Sequence, residues 1–104
     1  MTHEPVQLSE MEITERIKNL PAWKLTKDKT KIERDYEMKH FIAAVELIQQ
    51  IALLAEKADH HPDLHLTSYR NLKVVLTTHF LSGLSNNDFL LADKIEAIPK
   101  KLKI

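Results

Sequence analysis

HFIAAVELIQQIALLAEKADHHP, residues 40–62, carries the longest uninterrupted helical signal in the chain and the break that follows it. From His40 to Ala58 the stretch is rich in Ala, Leu, Gln and Glu and holds neither Gly nor Pro. That composition predicts a helix of roughly five turns. Phe41, Ala44, Val45, Ile48, Ala52 and Ala55 form one apolar stripe. Ile42, Leu47, Ile51, Leu53 and Leu54 widen the arc beyond what one sheet would cover. The extra arc calls for a second partner surface, hence an oligomer. Pro62 ends the stretch and biases His61 toward extended backbone, so the His60-His61 pair falls where the chain turns from helix to strand.

Downstream, Leu64–Tyr69 and Leu72–Phe80 read as two strands, the second being the most β-branched stretch of the chain and so the more central. Gly83 is the sole glycine, and just before a helix it implies a backbone conformation that other residues resist. Ser85 and Asp88 form an S-x-x-D cap for a last helix through about Ile98, stopped by Pro99. Upstream, Ser9 and Glu12 make a capping box for a short helix over about 9–19. Ala22–Thr26 and Thr30–Met38 flank the polar Lys27-Asp28-Lys29 turn as a hairpin that lacks the usual turn glycine. The resulting order is αββαββα, an α+β fold in which helices cover one face of a four-stranded antiparallel sheet.

Composition narrows the function. At 104 residues the chain is expected to be a single domain, 1–104, large enough for its own core. Fifteen Lys plus Arg balance fifteen Asp plus Glu, which leaves no electrostatic footprint for direct nucleic-acid binding or an anionic membrane. The chain has no cysteine, so disulfides, thiolate nucleophiles and Cys-based zinc sites drop out. The polar start lacks the apolar core of a secretory signal, and no apolar run has the length of a membrane span, so a cytoplasmic protein is the expectation.

The chemistry rests on His60, His61, His79 and Asp88. Imidazole titrates near neutrality, so several facing one pocket can hold a proton donor and an acceptor together. His79 falls toward the end of the last strand and Asp88 in the first turn of the final helix, positions that can meet at one rim. Taken singly, each histidine reads more simply as a solvated or core-satisfied side chain, and His3, His40 and His65 are assigned no role. Asp88 alone reads as a helix cap, and Trp23 as core. A metal site built from His60, His61, His65 and His79 is the rival. It suffers because His61 and His65 share helical spacing across a proline and a strand, where adjacent side chains diverge.

Glu56-Lys57-Ala58-Asp59-His60-His61-Pro62, then Tyr69, then His79, then Gly83-Leu84-Ser85-Asn86-Asn87-Asp88 closely resembles the pterin-4a-carbinolamine dehydratase family. The likeness extends upstream through Leu20, Trp23, the hairpin and Phe41, nearly the whole chain. It implies a hydro-lyase that dehydrates 4a-hydroxytetrahydrobiopterin to quinonoid dihydropterin, recycling the pterin of aromatic amino acid hydroxylases without metal or organic cofactor. By the same resemblance His60 and His79 are the acid–base pair, His61 a positioning and relay group, and Asp88 an orienting carboxylate. Asp59, Thr77, Thr78 and Phe80 line the pterin pocket, and Trp23 is a further apolar wall or a core residue. The family also implies a homodimer or homotetramer. It contains members that act instead as dimerisation or assembly cofactors of a protein partner, the alternative to catalysis. Two departures bear on pocket shape: Asp63-Leu64 stands where members commonly carry Trp, and six residues separate Pro62 from Tyr69; Phe80, where vertebrate members carry an acidic residue, makes the neighbourhood of His79 more apolar.

Overall fold

The computed structural model describes residues 4–104; His3 lies outside them. Its elements run α1 (Glu10–Ile17), β1 (Lys24–Leu25), β2 (Ile32–Glu37), α2 (Phe41–Ala58), β3 (Asp63–Thr67), β4 (Asn71–Leu76), a 3-10 turn (His79–Leu81) and α3 (Asn86–Ala97). The αββαββα order expected from the sequence is the one found. The four strands form one antiparallel sheet in the order β1-β2-β4-β3, with β2 and β4 central. Register runs from Ile32 opposite Leu76 to Glu37 opposite Asn71, and from Asp63 opposite Val75 to Thr67 opposite Asn71.

Alternation along the strands separates the faces. Ile32, Tyr36, Leu72, Val74 and Leu76 are buried, with Leu64 and Leu66 packed at the margin, and they meet the helices. Glu33, Asp35, Glu37, Asp63, His65 and Lys73 occupy the intervening positions, on the face the helices leave open.

α2 spans the expected residues, but its buried stripe is rotated. Ala43, Ala44, Leu47, Ile51 and Ala55 enter the core, while Phe41, Ile42, Ala52 and Leu53 face outward. Both arcs are apolar, so periodicity could not choose between them. The core takes the arc rich in alanine, where small side chains let α2 lie close to α3. His40 caps the helix, its Nδ1 accepting from the Ala43 amide at 3.1 Å. Asp59 ends it in a left-handed conformation (φ 51°). The amides of Asp59 and His60 turn back onto the carbonyls of Glu56 and Ala55, a closure that fixes the direction in which His60 leaves the helix.

The two downstream strands are shorter than expected. β3 ends at Thr67, and Ser68, Tyr69 and Arg70 form the hairpin turn, the first two left-handed (φ 48° and 55°). β4 ends at Leu76 rather than Phe80. Beyond it the Thr77 hydroxyl donates to the carbonyl of Thr30 at 2.6 Å and lies 3.3 Å from that of Gly83, and the Thr78 amide donates to Gly83 O at 2.9 Å. The chain therefore folds back on itself, and His79 opens a 3-10 turn instead of lying in a strand. Gly83 has no positive φ; the left-handed residue is Ser82, one position earlier (φ 52°). A Cβ at Gly83 would meet only ordinary contacts, the nearest being Gln7 Nε2 at 3.6 Å.

A second polar cluster clamps α3 to the sheet. Glu96 Oε1 accepts from Trp23 Nε1 (2.8 Å), Arg34 Nε (2.8 Å) and Tyr36 Oη (2.7 Å). Lys100 Nζ donates to the carbonyls of Ile95, Glu96 and Ile98, satisfying acceptors that the helix end leaves free. Burial raises the Glu96 pKa, and hydrogen bonds from Tyr36, Arg34 and Trp23 more than reverse that, so the carboxyl titrates below its ordinary 4.5. Burial holds the Lys100 ammonium below its usual value, and burial followed by the Glu96 hydrogen bond pushes the Tyr36 phenol upward.

Candidate active site

The capping box foreseen at Ser85 and Asp88 forms at the start of α3, and one of its members does more than cap. Asp88 is fully buried. Its Oδ2 accepts from the Ser85 amide (2.9 Å) and the Thr78 hydroxyl (2.8 Å). Its Oδ1 meets His60 Nε2 at 2.6 Å. Burying a carboxylate is costly unless donors surround it. Here those three partners, with the positive end of α3 behind them, are what compensates a buried carboxylate.

That anion decides the state of His60. A carboxylate has no proton to give, so Nε2 of the imidazole carries the one between them, and in the neutral ring Nδ1 then holds the lone pair. His60 is itself nearly enclosed, its side chain 13% exposed. One nitrogen is thus committed inward to Asp88 and the other is free for a reaction.

The neighbouring histidine has a different partner. His61 is exposed and its Nε2 bonds Glu56 Oε2, one turn back on α2. An exposed pair of this kind adds little stability, but it restricts where the ring points. His79 is exposed at the head of the 3-10 turn, one peptide from Thr78, with exposed Phe80 beside it. Asp59 sits on the surface at the left-handed end of α2, directly before His60.

Other candidate residues point inward or stand apart. Thr77 is buried with its hydroxyl on backbone carbonyls, and Thr78 is buried with its hydroxyl on Asp88 and Ser85. Neither hydroxyl is turned outward, in contrast to the expectation that both line a pocket. Trp23 is 3% exposed and donates to Glu96, eight residues along α3 from Asp88, about 12 Å of helix. It takes the core position of its two readings. His65 stands on the open face of β3 opposite Lys73, apart from His60 and His61. Among the described residues no three potential ligands gather as a metal site. The contacts of Glu56 with His61 and of Ser85 with Thr78 were not assigned from the sequence. The signals were present, Glu56 a little over one turn before the histidines and Ser85 three residues before Asp88.

A three-helix, four-stranded α+β domain with a histidine held on a buried helix-terminal carboxylate is the class of protein these elements define. The chain belongs to the pterin 4 alpha carbinolamine dehydratase family, whose pattern matches residues 6–98. It is 42% identical over 92 residues to a putative pterin-4-alpha-carbinolamine dehydratase of Acidobacterium capsulatum, covering 88% of this chain and 97% of that one. A mitochondrial pterin-4-alpha-carbinolamine dehydratase 2 of Arabidopsis thaliana is 34% identical over 93 residues; the match covers 88% of this chain but 50% of the plant protein. The crystal structure of a transcriptional coactivator/pterin dehydratase from Brucella melitensis superposes with a TM-score of 0.83 at 34% identity, over 88% of this chain and 97% of that one.

Proposed function

We propose that this protein dehydrates 4a-hydroxytetrahydropterin to quinonoid dihydropterin by histidine acid–base catalysis. Family membership supports the reaction class, and the observation that carries the mechanism is the His60–Asp88 pair. Breaking the C4a–O bond requires a proton on the leaving hydroxyl and loss of the proton on N5, whose electron pair then forms the C4a=N5 bond. His60, with Nε2–H on an anion and Nδ1 bare, is suited to take the N5 proton. His79, exposed and able to exchange with solvent, is suited to deliver a proton to the departing oxygen, which leaves as water. The two histidines end with their protonation states exchanged, and His61 on Glu56 is suited to relay the proton back. Exposed Phe80 offers an aromatic face for the pterin ring, and Asp59 a carboxylate at its rim.

The physiological setting in this reading is recycling of the pterin of aromatic amino acid hydroxylases in the cytoplasm. Among the described residues no helix is long and apolar enough to cross a membrane. The test is the dehydration rate of freshly generated 4a-hydroxytetrahydropterin with the intact protein, His60→Ala and His79→Ala, each checked for folding. A rate that falls by orders of magnitude in both variants supports the reading. No acceleration by the folded intact protein refutes it.

The outward face of α2 favours self-association beside catalysis. Phe41, Ile42 and Leu53 are 50%, 60% and 74% exposed on one chain, a cost that a second copy would relieve. A homodimer or homotetramer is the expected state, and sedimentation as a monomer at micromolar concentration would refute it. The same face would serve the alternative, a non-catalytic assembly role with another protein.

A further inference from the structure

The mechanism above leaves unused a buried hydroxyl that touches the site from behind. Thr78 is 2% exposed, and its Oγ1 lies 2.8 Å from Asp88 Oδ2 and 2.7 Å from Ser85 Oγ. A hydroxyl has one proton to give. Asp88 as an anion can only accept, so the Thr78 proton points at Oδ2, and the contact with Ser85 must be filled by the Ser85 proton. Ser85 Oγ in turn accepts from the first amides of α3, Asn87 N at 3.3 Å among them. Backbone amides cannot reverse their direction. The chain of donors is therefore one-way, from the α3 terminus through Ser85 and Thr78 to Asp88, and its last link is the inward proton of His60.

We infer that Thr78 is a positioning residue for catalysis, acting through Asp88 to hold His60 in the single tautomer that leaves Nδ1 free. The inference rests on the reading of His60 as an acid–base group. Two further contacts strengthen it. The Thr78 amide is tied to Gly83 O at 2.9 Å, and its carbonyl accepts from Leu81 at 3.0 Å, closing the 3-10 turn that begins at His79. One residue thus sets His60 through its side chain and His79 through its backbone. Ser85, by orienting the Thr78 hydroxyl, belongs to the same device.

Removing the hydroxyl while keeping the volume is the direct test. In Thr78→Val the carboxylate loses one of its donors and Ser85 loses its acceptor, so Asp88 holds its charge and orientation less well. kcat should fall about ten- to hundredfold with KM within about twofold, because one charge-assisted hydrogen bond is weakened at the reacting group. Nitrogen-15 spectra of the free protein should change from one His60 tautomer, protonated at Nε2, to a mixture. Thr78→Ser, which keeps the hydroxyl, should restore both. A merely structural threonine would lower the urea midpoint in Thr78→Val and move neither readout. That result, in a folded variant, overturns the inference. Should Thr78→Val fail to fold, Ser85→Gly replaces it, since glycine is tolerated at a helix N-cap. A mixed His60 population in Ser85→Gly beside a single tautomer in the wild type then supports the device. Mixed tautomers in the wild type itself, or no change in Ser85→Gly, overturn it. Absence of activity in the wild type refutes the catalytic reading alone; the tautomer spectra still decide the role of Thr78.

Discussion

Replacing Asp88 by Asn keeps the shape of the site and reverses one proton, and its effect follows from the hydrogen bonds around it. Oδ2 faces two donors, the Ser85 amide at 2.9 Å and the Thr78 hydroxyl at 2.8 Å, and Oδ1 faces His60 Nε2 at 2.6 Å. In Asp88→Asn the amide oxygen must take the Oδ2 position, since an NH2 group there would meet donors with a donor. The NH2 then faces His60, whose Nε2 has to accept, and the imidazole proton moves to Nδ1. The nitrogen that should take a proton from substrate is now occupied. Flipping the amide to restore the working tautomer gives up one or two buried hydrogen bonds, about 2–4 kcal/mol. The working form is then populated about thirty- to a thousandfold less, and kcat should fall by that factor, a loss of the kind seen when the equivalent change is made in Ser-His-Asp triads. The assay is the dehydration rate of 4a-hydroxytetrahydropterin, alongside a urea midpoint to confirm folding and nitrogen-15 shifts to report the tautomer. A folded Asp88→Asn within about fivefold of wild type, with His60 still protonated at Nε2, would refute the reasoning.

Other expectations concern the frame that holds the site. Glu96→Ala strands two donors that are buried, Trp23 (3% exposed) and Tyr36 (2% exposed), and should cost about 2–4 kcal/mol in urea unfolding; a loss below about 1 kcal/mol would remove the cluster as a clamp. Because the Glu96 carboxyl titrates below its ordinary 4.5 when folded, its contribution is complete above the unfolded pKa and is lost as pH falls through the folded one. Glu96→Gln should therefore flatten the fall in stability below about pH 4.5, and parallel curves for the two proteins would contradict this. At the β3–β4 hairpin, Ser68 and Tyr69 are both left-handed, a conformation that Asn and Gly adopt more readily than Ser and Tyr. The double change Ser68→Asn, Tyr69→Gly should add about 1 kcal/mol, and a lower thermal midpoint would count against strain at this turn. His40 caps α2 with an imidazole nitrogen, whereas Asp is a preferred cap and complements the helix dipole. His40→Asp should stabilise by about 0.5–1 kcal/mol, and calorimetry showing no gain would deny the cap its role.

The sequence by itself determined α2, both capping boxes, the αββαββα order and the His60-His61 pair at a helix-to-strand junction. Each depends on residues within a turn or two of one another, whether as apolar period, as a Ser with an acid three residues on, or as a proline acting on its predecessor. The motif from Glu56 to Pro62, with His79 and Asp88 in order after it, was enough to indicate the family. Only the tertiary structure decided which of two apolar arcs of α2 enters the core, because both satisfy the helical period and packing in the core selects between them. It also ended β4 at Leu76, where hydroxyls and carbonyls of distant segments capture Thr77 and Thr78 in place of a strand neighbour. Thr78, read as a pocket wall, and Trp23, read as wall or core, turn inward for the same reason: their partners are Asp88 and Glu96, 10 and 73 residues away. The bond from His60 to Asp88 spans 28 residues. A one-dimensional pattern carries both groups but not the direction of either side chain, and it is folding of α2 and α3 onto one sheet that makes a histidine and a helix cap into a single hydrogen-bonded pair.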